Sequence, residues 1–101
     1  MKTIFISQPM RGRSYDELMQ ERRKVVRFLL NKYGPVNILD TLFTQTIGNG
    51  TPLDYLGESI KYLSEAEIVV FVPGWREARG CRIEHQCCEE YGIEILELKE
   101  E

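Results

Sequence analysis

The sequence predicts an α/β fold in which a small parallel sheet carries helices on both faces. Short β-branched or apolar runs alternate along the chain with longer segments of helical periodicity. The run Ile68 to Val72 is apolar throughout, as in a strand buried on both sides. Two helix starts are also marked locally, by Ser14-Tyr15-Asp16-Glu17 and by Thr51-Pro52.

Taken in order, Lys2 to Ser7 alternates and then runs apolar, which predicts a first strand. Gln8-Pro9-Met10-Arg11-Gly12-Arg13 is a loop punctuated by proline and glycine. Ser14 with Glu17 has the capping-box form, so the first helix starts there. Leu18, Val25, Leu29 and Tyr33, with Val26 and Leu30 alongside, form its apolar stripe, and Glu21-Arg22-Arg23-Lys24 reads as its solvated face. Gly34-Pro35 ends it. Val36 to Leu39 is a short second strand ending at Asp40, followed by the longest loop, Thr41 to Thr51. Thr51 caps a second helix with Pro52 at its first position, and Leu56, Ile60 and Leu63 carry its core stripe. Ile68 to Val72 is the third strand, Cys81 to Tyr91 the third helix, stopped by Gly92, and Ile93 to Leu98 the fourth strand. The expected strand order is 2-1-3-4, a three-layer flavodoxin-like sandwich forming one domain over residues 1–101.

Composition narrows the function classes. A formal charge of −3 argues against nucleic acid as the main partner, which would favour a basic face. The longest apolar stretch is the five residues before Pro73, too short to span a membrane. Met1-Lys2-Thr3-Ile4-Phe5-Ile6 passes straight into a strand pattern, so no signal peptide is expected and the compartment reads as cytoplasmic. Cys81, Cys87 and Cys88 are odd in number and match no CxxC zinc pattern; they read as reduced, space-filling thiols, and no metal or cofactor is expected. With so small a sheet, a homodimer or higher homo-oligomer is the expected assembly.

The residues that could carry chemistry gather at the carboxyl edge of the sheet, where open α/β sheets bind ligands. The loops Ser7 to Arg13, Asp40 onwards and Pro73 to Gly80 should meet there, bringing Arg11, Arg13, Arg76 and Arg79, with Arg82 just beyond. Arginine forks suit phosphate oxygens. Individually, each could equally be a solvated loop arginine. Cys81, Glu84, Cys88 and Tyr91 share one helix face, and a carboxylate in so apolar a stripe is costly unless paired. Placed in the helix's first turn, Glu84 would be held ionised beside the pocket; it could also pair with an arginine or merely complement the helix dipole. Trp75 stands in an expected exposed loop, where its ring could stack on a base or pack on its own arginines. His85 reads as a surface residue.

These segments resemble the nucleoside 2-deoxyribosyltransferase-like superfamily, in particular its small bacterial and phage branch. Ile4-Phe5-Ile6-Ser7-Gln8-Pro9-Met10-Arg11-Gly12 is similar to that branch's first strand and ligand loop. Leu56 to Ile60 and Ala66 to Val70 resemble its helix-then-strand core, and Gly74-Trp75 and Gly80-Cys81-Arg82-Ile83-Glu84-His85 its GW and GxxxE elements. The resemblance implies chemistry at the N-glycosidic bond of a (deoxy)nucleoside or nucleoside 5′-monophosphate, with Glu84 as nucleophile. It also implies that Ser7 and the Gln8 to Gly12 loop contact the sugar or its phosphate. Better-known transferases place an aspartate where Ser59 stands, eight positions before Glu67. Either another carboxylate, Asp40 or Asp54, replaces it, or the chemistry is slow or absent.

Three functions follow as expectations. The first is a transferase or hydrolase acting on a small-molecule nucleoside or nucleotide, with Glu84, Ser59 and Asp40 as catalytic candidates and Ser7, Gln8, Pro9, Met10, Arg11, Gly12, Trp75, Arg79 and Gly80 around the substrate. The second is a non-catalytic binder of a nucleotide or nucleotide-derived signal. The third is a TIR-like NAD glycohydrolase, whose Trp-Cys-x-x-Glu element is matched only from Cys81 to Glu84, because Trp75 lies six residues before Cys81.

Overall fold

β1 (Lys2–Ser7), β2 (Val36–Ile38), β3 (Ile68–Phe71) and β4 (Glu94–Glu97) form one sheet in the order β2-β1-β3-β4. Every pairing is parallel, with Ile4 opposite Ile38 and Ile68, and Val69 opposite Ile95. The expected topology is therefore observed. The structure, a computed structural model, describes residues 1–41 and 50–100; of the expected Thr41 to Thr51 loop, positions 42–49 lie outside the described residues.

The helices are α1 (Tyr15–Tyr33), α2 (Pro52–Leu63) and α3 (Arg79–Tyr91). Side chains alternate across the strands, so each sheet face has its own core. Ile4, Ile6, Ile68, Val70 and Val72 pack with Val25 and Leu29 of α1. On the other face Phe5, Val69 and Phe71 pack with Leu63 of α2 and with Cys81 and Cys88 of α3. All four residues of β3 are buried, as befits a strand covered on both sides. Burying one large side chain such as Phe71 stabilises the fold by about 1.5–3 kcal/mol.

Helix starts follow the local code. The Glu17 N–H donates to Ser14 Oγ at 3.1 Å, and the Ser14 N–H donates to Glu17 Oε1 at 2.9 Å. Thr51 and Asp54 repeat the arrangement at 3.2 and 2.9 Å, with Pro52 opening α2. These backbone hydrogen bonds hold the Glu17 and Asp54 carboxyls below their ordinary values.

Three expectations about faces are corrected. Leu30 is 45% exposed, because it lies about 100° round α1 from the fully buried Leu29. Tyr91 is 82% exposed, so the buried face of α3 ends at Cys88. Arg22, expected on the solvated face, is buried for a reason that belongs to the site. Among the described residues, no helix is long and apolar enough to cross a membrane.

Candidate functional site

Adjacent strands β1 and β3 send the chain to opposite faces, β1 into α1 and β3 into α3. Diverging connections open a crevice above the carboxyl ends of such strands. A cleft of about 1250 Å³ lies there. Among the described residues it is lined by the run Ser7 to Arg13, by Thr41, by Pro52, Tyr55, Leu56 and Ser59 of α2, and by Gly74, Glu77 to Arg82 and Glu84. Pockets of about 300–1,000 Å³ hold most small ligands, so this one has room for a nucleotide.

Strand alternation puts Ser7 on the same side as Phe5, towards α3. Its hydroxyl donates to Glu84 Oε1 at 2.6 Å, and both side chains are buried. Because α3 begins at Arg79, Glu84 is its sixth residue and sits in the second turn. The expected first-turn placement is thus corrected, and the dipole's influence has faded at that point. Burial decides instead, pushing the Glu84 carboxyl up to about 7 against the opposing effect of the Ser7 hydrogen bond. Among the described residues no ion pair reaches Glu84; its partner is the Ser7 hydroxyl, not an arginine as in the ion-pair alternative. The group can therefore change charge near neutral pH at the cleft floor.

Gln8, the next residue, turns to the other face. Its Nε2 donates to the Leu18 carbonyl at 2.8 Å and to Glu21 Oε1 at 3.0 Å, and its Oε1 accepts from Arg22 Nη1 at 3.2 Å. Arg22 Nη2 donates to the Leu39 carbonyl at 3.0 Å and to Thr41 Oγ1 at 3.3 Å. Arg22 is buried because a planar guanidinium reaches acceptors just after β1 and just after β2 at once. Burial lowers its pKa from the ordinary value, and the charge of Asp40 opposes that change. Arg13 Nη1 clamps the loop from outside, on the Pro9 carbonyl at 2.9 Å and Glu21 Oε1 at 2.8 Å. Gln8 thus lines the cleft, but its amide is committed to holding the loop.

Of the five arginines expected around the rim, Arg11, Arg13, Arg79 and Arg82 line the cleft and Arg76 does not. Arg82 Nη1 donates to the Arg76 carbonyl at 2.8 Å. Arg11 and Arg79 are exposed, with no hydrogen bond or ion pair among the described residues, so both guanidinium forks are available to an anion.

The profile of a domain of unknown function, DUF4406, matches residues 2–97, a span that includes every residue of the cleft. The chain belongs to the DUF4406 family. No curated protein and no solved structure matches it.

Two expected site residues of this DUF4406 domain stand elsewhere. Gly74, at φ 92°, reverses the chain after β3 and starts a short turn, Trp75–Glu77. That turn folds the Trp75 ring inward, leaving it 8% exposed and absent from the cleft lining. The ring contacts Phe71 at 5.3 Å between centroids and stacks on His85 at 4.2 Å and 7°. His85 is accordingly no surface residue. Besides Phe5 at its base, the aromatic lining the DUF4406 cleft among the described residues is Tyr55, whose hydroxyl oxygen accepts from the Gly50 N–H at 3.0 Å. The sequence carried a signal for it: Tyr55 and Ser59 are one helical turn apart and share a face.

Asp40 is exposed and is not among the lining residues, because β2 ends before it and Thr41 turns inward in its place. Asp54 is held in the α2 cap. Ser59 does line the cleft, and the other carboxylate there besides Glu84, among the described residues, is Glu77. Its side chain is exposed and carries no hydrogen bond or ion pair among those residues. Burial pushes the Cys81 thiol up to about 11 and the Cys88 thiol up to about 12, so neither is a thiolate nucleophile near neutral pH.

Proposed function

We propose that this DUF4406 domain binds a (deoxy)nucleoside or nucleoside 5′-monophosphate in the cleft and breaks its N-glycosidic bond through Glu84. The observation that carries this reading is the buried Glu84 carboxyl on the cleft floor, with the Ser7 hydroxyl 2.6 Å from it. Above it, Arg11 and Arg79 offer two uncommitted guanidinium forks to a 5′ phosphate. The resemblance of Ile4 to Gly12, Gly74-Trp75 and Gly80 to Glu84 to the nucleoside 2-deoxyribosyltransferase-like superfamily supports the same chemistry.

In the ionised form, one Glu84 oxygen bonds to the anomeric carbon as the carbon–nitrogen bond breaks. The bonding pair leaves with the base, which takes up a proton. Water then opens the glycosyl ester in a hydrolase, and a second base does so in a transferase. Ser7 steadies the carboxylate by donating to it. Ser59 is too weak an acid to protonate the base near neutral pH; Glu77, the other carboxylate lining the cleft among the described residues, is the candidate for that proton in this reading.

A second reading, a binder that leaves a nucleotide or nucleotide-derived signal intact, is favoured by Ser59 at the aspartate's place and by the positions of Asp40 and Asp54 away from the cleft. One experiment separates the two: chromatography of nucleosides, nucleoside monophosphates and NAD after incubation with wild type and Glu84→Ala. Base release falling on the order of a thousandfold or more in the variant supports catalysis. Equal background release by both proteins refutes it, and tight binding with the ligand recovered unchanged establishes the binder.

A further inference from the structure

The cluster around Trp75 has no part in the chemistry above, yet it is among the most fully connected side-chain groups described. The His85 ring stacks on Trp75 at 4.2 Å and contacts Phe71 at 4.7 Å. Its Nε2 lies 2.8 Å from Glu97 Oε2 on β4, and its Nδ1 lies 3.4 Å from Glu89 Oε1 on α3. Arg76 lies over the same indole at 4.7 Å and pairs with Glu97 at 3.4 Å. The turn held in this way, Trp75–Glu77, leads through Ala78 into Arg79, and both Glu77 and Arg79 line the cleft.

We propose that His85 is a positioning residue for the cleft: stacked on Trp75 and tied to Glu97, it fixes the turn that carries Glu77 and Arg79 into the cleft wall, and it holds that turn more tightly when protonated. A neutral imidazole can hydrogen-bond Glu97 but carries no charge, whereas the imidazolium donates to Glu97 and is also drawn to the Glu89 carboxylate as an ion pair. Among the described residues, Glu97 from β4, Glu89 from α3 and Arg76 from the turn are the charged groups paired with or stacked beside it, and β3 contributes the Phe71 ring. The role rests on the cleft being a ligand site, but its first two readouts need no ligand.

Trp75 is the single tryptophan of the chain, so tryptophan fluorescence reports on this cluster. An imidazolium in contact with indole quenches it. Wild-type emission should therefore step up from acid to alkaline pH, and the step should vanish in His85→Phe, which keeps a ring in the stack and removes both nitrogen contacts. Hydrogen exchange at the Glu77 and Ala78 amides, which close the turn on Gly74 and Trp75, should lose about tenfold protection in His85→Phe and partly in Glu97→Gln. Affinity for 2′-deoxyadenosine 5′-monophosphate, measured in a Glu84→Gln background so that Glu84 does not titrate, should fall several-fold with His85→Phe at the acid end only. An unchanged fluorescence step or equal amide protection in His85→Phe overturns the positioning role, whatever the nucleotide does. Intact fluorescence and exchange effects with no nucleotide bound by wild type leave His85 in its role and refute the nucleotide reading instead.

Discussion

Glu84 makes the folded chain sensitive to pH in a direction opposite to that of most surface carboxylates. Its carboxyl rises from an ordinary 4.5 to about 7 in the fold, chiefly by burial. A group with a raised folded pKa binds its proton more tightly in the native state, so the resulting stability is fully present below the unfolded value of 4.5 and is lost as pH climbs through about 7. The difference between those two values, at about 1.4 kcal/mol per pH unit, amounts to about 3 kcal/mol. Glu84→Gln keeps the shape and an acceptor for the Ser7 hydroxyl but cannot titrate. Urea denaturation of both proteins from about pH 4.5 to about pH 8 gives the difference in unfolding free energy at each pH, and other titrating groups largely cancel. That difference should move by about 3 kcal/mol towards the variant as pH rises, most of it between pH 5 and 7. A difference that stays flat over this range would show that Glu84 is solvated and ordinary, and with it would go the picture of a buried carboxyl at the cleft floor.

Ser7→Ala removes the donor that favours the charged form of Glu84, so the acid limb of the pH–rate profile for base release should move to higher pH and the rate near neutrality fall about tenfold; an unmoved limb contradicts the hydrogen bond's role. Arg22→Leu strips buried acceptors at Gln8, Leu39 and Thr41 of their partner and should cost about 2–4 kcal/mol in urea denaturation. A cost below about 0.5 kcal/mol would place Arg22 on the surface, as first expected. Gly74→Ala meets only Pro9 Cγ, at an ordinary 3.8 Å, so its cost is that of the backbone at φ 92°, about 1–2 kcal/mol. Thermal melts that match wild type would argue that the chain does not reverse there.

What could be read from the sequence was what is encoded locally. Ser14 with Glu17 and Thr51 with Pro52 placed two helix starts to the residue, because a cap is satisfied within one turn of chain. Strand order followed from alternating elements, and the position of the cleft from that order. Arg22 and Trp75 were misplaced because their fates depend on distant partners. Neighbouring charges suggested a wet helix face at Arg22, but Gln8 and the Leu39 carbonyl provide acceptors that drew it inward. The loop before the third helix suggests an exposed Trp75, whereas the positive φ at Gly74 turns its ring onto His85, with Arg76 over it as the packing alternative has it. Glu84 was found as an anomaly in an apolar stripe. Topology puts Ser7 at the same sheet edge and the family resemblance makes it a substrate contact, but its hydrogen bond to Glu84, across 77 residues, has no signature in the sequence.

The opposed aim of Ser7 and Gln8 at the end of β1 has a consequence for folding fidelity. Moving β1 by one residue along its neighbours would exchange the two side chains between layers, presenting an amide to Glu84 and a short hydroxyl to the acceptors and guanidinium beside α1. Hydrophobic alternation alone penalises such a slip through Ile4, Phe5 and Ile6, but all three are large and apolar, so either face would accept them with modest repacking. The polar pair is far less forgiving: in the shifted alignment a buried carboxyl and a buried guanidinium would each lose a fitted partner. Residues that serve the ligand therefore also proofread the alignment of the strand that delivers them, and substitutions made to alter what the cleft accepts will loosen the sheet's choice of register.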